Sequence, residues 1–154
     1  MTPEAGARAV DAPLRPPTSQ AAFRRDRVVR WSDCDAAGAV FHPRYLVIFD
    51  ELFEEWMAES LRLDPRDLLL DRRIGLAVVQ ISVDFLAPSW LGDRVGLELA
   101  VERIGAKSMQ LAFACRGASG ELRLSMRQTR VAMCLRRHAG IDLPPDLRSA
   151  LAPR

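Results

Sequence analysis

Apolar residues recur at spacings of three and four at Tyr45, Phe49, Leu52, Phe53 and Trp56, with Leu46 and Met57 widening the stripe. This period predicts one amphipathic helix from 43 to about 59, roughly 25 Å long. Pro43 fits the first helical position, where a missing N–H is no loss, and His42 then sits at the cap. Downstream the period changes to two. Val79, Ile81, Val83 and Phe85 alternate with Gln80, Ser82 and Asp84; Val95, Leu97, Leu99 and Val101 alternate with Gly96, Glu98, Ala100 and Glu102. Met109, Leu111, Phe113 and Cys115 form the next apolar set. Each run ends in turn residues: Pro88 to Asp93, Ile104 to Lys107 around Gly105, and Gly117 to Gly120.

The last run, about 121–135, changes parity. Leu122, Leu124 and Met126 are even, whereas Val131, Met133 and Leu135 are odd. A single strand facing one core needs an extra residue to do this, which predicts a bulge between Arg127 and Arg130. A further strand over 24–32, with Val28, Val29 and Trp31, precedes the helix. After the helix, Asp64-Pro65 breaks the chain, and Asp67 to Leu70 reads as a short helical turn. The order is thus strand, long helix, then four strands in a meander. One helix covering one face of one antiparallel sheet is an α+β arrangement.

The ends read differently. Residues 1–22 carry interrupting prolines at Pro13, Pro16 and Pro17 and no periodicity, so they read as a flexible leader. Its arginines suit a transit peptide, but Glu4 and Asp11 argue against one. The folded domain spans 23–138. The tail over 139–154 is polar and broken by prolines, and is expected to be loosely held from Arg136 onward.

With 154 residues, a single domain large enough to bury its own core is expected. The 22 basic and 20 acidic residues leave a net charge of +2, so bulk charge gives no reason to invoke nucleic acid. No apolar run approaches the roughly 20 residues of a membrane span. The cysteines Cys34, Cys115 and Cys134 lack metal-ligand spacing, and their odd number suits a reducing, cytoplasmic compartment.

The chemistry concentrates just before the helix. Asp35 precedes two small residues and Gly38, and His42 stands where the helix begins. The helix N–H groups and positive dipole end point back at this segment, a suitable place to stabilise an oxyanion. Asp35 also has a plain reading as a turn residue, His42 as a polar cap, and Asp33 as a loop or capping carboxylate. Cys34 is a poor nucleophile candidate, because alternation in an extended segment puts it opposite Asp35. No metal site is expected, since the only other histidine, His138, lies in the tail.

The stretch Trp31-Ser32-Asp33-Cys34-Asp35-Ala36-Ala37-Gly38-Ala39-Val40-Phe41-His42-Pro43-Arg44-Tyr45 resembles the signature of the 4-hydroxybenzoyl-CoA thioesterase family. Ile104-Gly105-Ala106-Lys107-Ser108 resembles that family's turn between its middle strands. The resemblance covers about 24–136. It implies the hotdog fold, a curled antiparallel sheet of about five strands wrapped around one long helix.

It also implies hydrolysis of an aromatic or short-chain acyl-CoA. Asp35 corresponds to the family's catalytic aspartate, as nucleophile or general base, and His42 to the position whose backbone N–H polarises the thioester carbonyl. Envelope-associated bacterial acyl-CoA thioesterases carry His there, and the hydroxybenzoyl enzyme carries Tyr. The family's arginine pair for CoA phosphates is replaced here by Gly105 and Ala106, which leaves Lys107 and Ser108 as the candidate CoA contacts, with Arg103 nearby. Asp50 is a further candidate substrate contact, because a carboxylate on an enclosed helix needs a partner or a task. The resemblance implies a homodimer or homotetramer with sites between subunits, and no cofactor apart from the coenzyme A of the substrate. The alternatives are an acyl-carrier-protein thioesterase and a non-catalytic acyl-CoA-binding or sensor protein on the same fold.

Overall fold

The computed structural model describes residues 14–18 and 22–152. In chain order it contains β1 (Phe23–Val28), α1 (Arg44–Glu59), β2 (Ile74–Phe85), β3 (Arg94–Ile104), β4 (Ser108–Gly117), β5 (Leu122–Cys134), β6 (Ala139–Gly140) and α2 (Pro145–Leu151). A 3-10 turn at Trp31–Asp33 precedes α1, and a π turn at Asp67–Asp71 follows it. The strands pair antiparallel in the order β1-β3-β4-β5-β2, with β6 alongside β5. This is the hotdog arrangement expected from the sequence: a curled sheet holding α1 against its inner face.

The helix forms where its period predicts. Tyr45, Ile48, Phe49, Leu52, Phe53, Trp56 and Met57 are buried along it, and Phe49 packs on Phe113 of β4 at 5.1 Å between ring centroids. Full burial of each such side chain contributes about 1.5–3 kcal/mol. The sheet side of the core comes from Val95, Leu97 and Leu99 of β3 and from Met109, Leu111, Phe113 and Cys115 of β4. Among the described residues, no helix is long and apolar enough to cross a membrane.

The strand expected over 24–32 ends at Val28, and Trp31, expected among its apolar members, is 83 % exposed in the 3-10 turn that follows. Four further expectations need correction. The capping position of α1 is Pro43 itself, with helical φ −68° and ψ −20°, so His42 stands one residue outside the helix. β2 starts at Ile74, earlier than its alternation suggests, and Val79, Ile81 and Phe85 on it are exposed although apolar. They lie on an edge strand, and Ile81 and Phe85 border a surface hollow rather than the closed core.

The third correction concerns β5. It carries no bulge between Arg127 and Arg130: its register with β4 is unbroken from Ser108↔Val131 to Cys115↔Leu124. The extra residue is on β2, between Val78 and Gln80. The even positions of β5 stay buried throughout, as Leu124, Met126, Gln128, Arg130 and Ala132. The parity change in the sequence therefore marks polar and small residues pointing inward.

The fourth is the tail. Leu143, Leu147 and Leu151 are spaced by four and are all buried in the core. Pro145 occupies the first turn of α2, where its missing N–H is tolerated. Arg72 and Asp146 pair through two hydrogen bonds, and Arg148 donates to the carbonyls of Gly105 and Ala106. The segment from Ile141 to Leu151 is thus part of the domain. Most of the expected leader lies outside the described residues; within 14–18, Pro17 is buried and the N–H of Leu14 donates to Asp84 at 2.7 Å.

Candidate active site

The segment from Asp33 to Phe41 folds as a miniature hairpin. At its base the N–H of Phe41 donates to the carbonyl of Asp33, and further out the N–H of Asp35 donates to that of Ala39, both at 2.9 Å. Asp35 opens the turn. Its Oδ1 accepts the N–H of Ala37 at 2.8 Å, and its carbonyl accepts the N–H of Gly38 at 3.0 Å. Gly38 has φ +83°, a conformation that a side chain strains. The β2–β3 connection backs this hairpin: Val40 donates to the carbonyl of Ser89, and Leu91 to that of Gly38. Asp35 is solvent-exposed at the tip, and His42 stands at the foot where the chain enters α1.

Asp33 anchors the loop. It is 1 % exposed and accepts four hydrogen bonds. Arg27 Nη2 reaches both carboxylate oxygens at 2.9 and 3.2 Å, Arg44 Nε contributes at 3.0 Å, and the N–H of Arg30 at 2.9 Å. One carboxylate thus ties the loop to β1 through Arg27 and to the first turn of α1 through Arg44. Burial pushes its pKa up, but the hydrogen bonds from Arg30, Arg44 and Arg27 outweigh this and hold it below the ordinary carboxylate value. Asp33 therefore stays ionised as a brace, which leaves Asp35 as the accessible carboxylate of the pair. Cys34 is a poor nucleophile here, because burial and then the charges of Asp33 and Asp35 push its thiol pKa up.

At the foot of the loop, the backbone N–H of His42 has no hydrogen-bond partner among the described residues. The adjacent donors are occupied: Phe41 bonds to Asp33, and Arg44 to Phe41. The His42 ring meets Phe41 edge-on at 5.1 Å and Phe85 at 6.3 Å. Beside it lies a mainly apolar hollow of about 320 Å³, walled by Tyr45, Leu46, Ile81, Val83, Phe85 and Met126. A free N–H at a helix start with an apolar recess beside it can polarise a carbonyl, and the same loop carries a carboxylate that can supply an attacking group.

The other expected site residues lie further away. Asp50, two turns along α1 from His42, is exposed rather than enclosed as expected, and accepts a hydrogen bond from Arg130 of β5. Lys107 and Ser108 stand at the β3–β4 turn. Ser108 pairs with Val131, five residues beyond Met126, so this turn is roughly 17 Å along the sheet from the His42 hollow. The structure therefore joins Asp35 to His42 through one loop and Asp50 to Arg130, and sets Lys107 and Ser108 apart from His42 but next to Arg130, with Ser108 opposite Val131 and the carbonyl of Lys107 accepting the N–H of Ala132 at 2.8 Å. Sequence reasoning missed Arg130 and Gln128, whose inward parity on β5 was the available signal. It also missed Arg27 and Arg44 as partners of Asp33, and Phe85 as a wall beside His42. Among the described residues, no three His, Cys, Asp or Glu side chains are grouped as metal ligands.

Comparison with known proteins bears on this geometry. The family model of the Thioesterase-like superfamily matches residues 29–151. A 1,4-dihydroxy-2-naphthoyl-CoA hydrolase of Nostoc punctiforme is 29 % identical over 120 residues, covering 78 % of this chain and 74 % of that protein. The crystal structure of a 1,4-dihydroxy-2-naphthoyl-CoA thioesterase from Synechocystis superposes with a TM-score of 0.78 at 26 % identity, covering 84 % of this chain and 95 % of that one. A gentisyl-coenzyme A thioesterase superposes with a TM-score of 0.74 at 27 % identity, covering 82 % of this chain and 99 % of its own.

Proposed function

The chain belongs to the Thioesterase-like superfamily, and we propose that it hydrolyses an aromatic acyl-CoA thioester to the free acid and CoA. The observation that carries this reading is the unpartnered N–H of His42 at the start of α1, on the loop that presents Asp35, beside an apolar hollow. The thioester carbonyl oxygen accepts that N–H, and the positive end of the α1 dipole adds to the polarisation. Asp35 then acts in one of two ways. As nucleophile, it adds to the carbonyl carbon and expels CoA thiolate, and water hydrolyses the resulting anhydride. As general base, it takes a proton from a water that attacks the same carbon. The apolar hollow receives the ring of the acyl group.

The choice of an aromatic acyl group draws on the named activities of the relatives, whose substrates carry dihydroxynaphthoyl and gentisyl groups. The motif's resemblance to the 4-hydroxybenzoyl-CoA family agrees with that class. We assign Asp50 to the acyl group, and Lys107 with Ser108 to the phosphates of CoA. Lys107 stands beyond Arg130 along the sheet from His42, on the acyl side of a substrate held at His42, so it suits the CoA of a neighbouring copy's substrate. A homodimer or homotetramer follows from the edge strand β2, whose unpaired backbone and exposed Val79 and Ile81 ask for a partner. The cysteines are all free thiols, as in a reducing compartment, so we place the reaction in the cytoplasm.

The test is a panel of aromatic and short aliphatic acyl-CoA substrates followed by thiol release, with wild type and Asp35→Ala. Asp35→Ala should still bind substrate and lose about 10²–10⁴-fold in rate. A single turnover in ¹⁸O-water, followed by analysis of the peptide holding Asp35, identifies an anhydride by label in that residue. Equal rates for Asp35→Ala and wild type on the best substrate would refute the assignment.

A further inference from the structure

The inward face of β5 carries a cation where the core should be apolar. Arg130 is only 7 % exposed, and its guanidinium lies over the ring of Phe53 at 3.9 Å. Its Nε donates to Gln128 Oε1 at 2.7 Å, and its Nη2 donates to Asp50 Oδ1. Burial pulls its pKa down, and the neighbouring Asp50 works against that pull.

Two polar atoms of this group remain unused. Arg130 Nη1 and Asp50 Oδ2 make no hydrogen bond to a described residue. Both residues line a hollow of about 170 Å³ whose other walls include Phe53, Met57, Leu68 and Leu76. Only one side of the pair is buried, with the Asp50 side chain 54 % exposed, and an ion pair of this kind is weak support for a fold. A pair that keeps a spare donor and a spare acceptor beside an apolar recess has the form of a ligand site.

The position of the hollow relates it to the reaction. Pro43 and Leu46 line the His42 hollow, and Asp50, Phe53 and Met57 line this one, all on one row of α1. β2 and β5 contribute in the same order, with Phe85 and Met126 at the first hollow and Leu76 and Arg130 at the second. The two recesses therefore lie in series along one seam. From His42 to Asp50 the chain rises roughly 12 Å along the helix axis. A fused two-ring acyl group with its carbonyl at His42 points its far edge at the Arg130–Asp50 pair.

We propose that Arg130, held by Asp50, Gln128 and Phe53, is a specificity residue that selects aromatic acyl groups bearing a hydroxyl on the ring edge remote from the thioester. This rests on the hydrolase reading above and states what that reading leaves open. Asp50 and Glu54 both line the hollow beside the one cation, Arg130, so it offers little to an anionic substituent. A phenolic hydroxyl matches it in both senses, accepting from Arg130 Nη1 and donating to Asp50 Oδ2. An unsubstituted ring displaces water from these groups and returns no hydrogen bond, and a site built to hydrogen-bond a hydroxyl discriminates against such an analogue.

The experiment compares 6-hydroxy-2-naphthoyl-CoA, 1-hydroxy-2-naphthoyl-CoA and 2-naphthoyl-CoA on wild type, Arg130→Met and Arg130→Lys. Wild type should favour the 6-hydroxy compound over the other two by about 10²-fold in kcat/KM. Arg130→Met should reduce that ratio to within about threefold of unity, and Arg130→Lys should keep only part of it, because an ammonium cannot hold the planar fork. Since removing a buried cation can impair folding, the free acids are also titrated into wild type by calorimetry, where the 6-hydroxy acid should bind about 10²-fold tighter than 2-naphthoic acid. Equal binding of the two acids, or an unchanged ratio in folded Arg130→Met, overturns the proposal. A wild type that hydrolyses all three esters equally refutes this inference and leaves the hydrolase reading intact. A wild type that hydrolyses none but prefers the 6-hydroxy acid does the reverse.

Discussion

Asp33 and Asp35 stand two residues apart in one motif; the structure buries the first among arginines and exposes the second, and two conservative variants separate a bracing role from the proposed catalytic one. Asp33→Asn keeps the shape of the side chain but removes the charge that Arg27 and Arg44 share. It also turns one acceptor into an NH₂ facing those guanidinium groups. Breaking a buried pair typically costs about 3–5 kcal/mol. Two features place this case at the lower end. The Arg44 side chain is 31 % exposed and can turn to solvent, and Arg27 keeps Glu51 at 2.9 Å. Against that, Arg27 Nε is already buried without a partner. We therefore expect about 3 kcal/mol, or a fall in Tm of roughly 6–12 °C for a chain of this size.

Asp35→Asn has the reverse profile. The residue is exposed, and its one side-chain bond, from Ala37 N–H to Oδ1, survives in the amide. Its stability should change by no more than about 0.5 kcal/mol, while turnover falls at least about 10²-fold. Thermal melts by circular dichroism and thiol-release assays on the same preparations decide the matter. Melting in acid adds a check of sign. The Asp33 pKa is depressed, so its contribution is complete above the ordinary carboxylate value of about 3.9 and is lost as pH falls through the lower folded value. The Tm gap between wild type and Asp33→Asn should be flat from about pH 5 to 8 and close only below about pH 4. A destabilised Asp35→Asn with a neutral Asp33→Asn would refute this division of labour.

Three further outcomes are expected. Lys107→Ala should raise KM more than it lowers kcat, with the larger effect at low salt, because contacts to CoA phosphates are screened; an unchanged KM at low salt moves that contact elsewhere, with Arg103 the next residue to test. Sedimentation should show a dimer or tetramer that Ile81→Glu on the exposed edge strand shifts toward monomer with loss of activity, whereas an active wild-type monomer at micromolar concentration would reject the shared site. Leu147→Ala in α2 should cost about 2–5 kcal/mol in denaturant unfolding, since that side chain is fully buried; a neutral result would mean that α2 packs only loosely.

Much of this was legible because the signals are local. The stripe from Tyr45 to Trp56 gives α1, and alternation gives β3 and β4, since Val95, Leu97 and Leu99 on one and Met109 to Cys115 on the other are covered along one face. The loop around Asp35 was legible because a carboxylate before Gly38 has few backbone options. Asp33 was readable as a loop carboxylate, but its partners were not: Arg27 and Arg44 are ordinary arginines until β1 and α1 are brought together. The tail misled for a different reason. Arg136, Arg137 and the prolines dominate its composition, yet three leucines spaced by four outweigh them once α1 and β3 present a surface.

The misreading of β5 carries the most information. Alternation was extrapolated on the premise that inward positions are apolar, so an extra residue was placed between Arg127 and Arg130 to restore parity. The premise failed, not the geometry: β5 runs regularly past β4, and its polar residues turn inward because α1 brings Asp50 and Phe53 to meet them. The bulge that does exist is on β2, between Val78 and Gln80, where it bends the edge strand past this polar group. Sequence patterns that are consistent at every level give the fold, and conflicts tend to fall where a protein does something other than fold. A polar inward residue on an otherwise regular strand is therefore a better pointer to a site than to a bulge. Here it leads to Arg130, on the same seam as His42 and roughly 12 Å further along the helix.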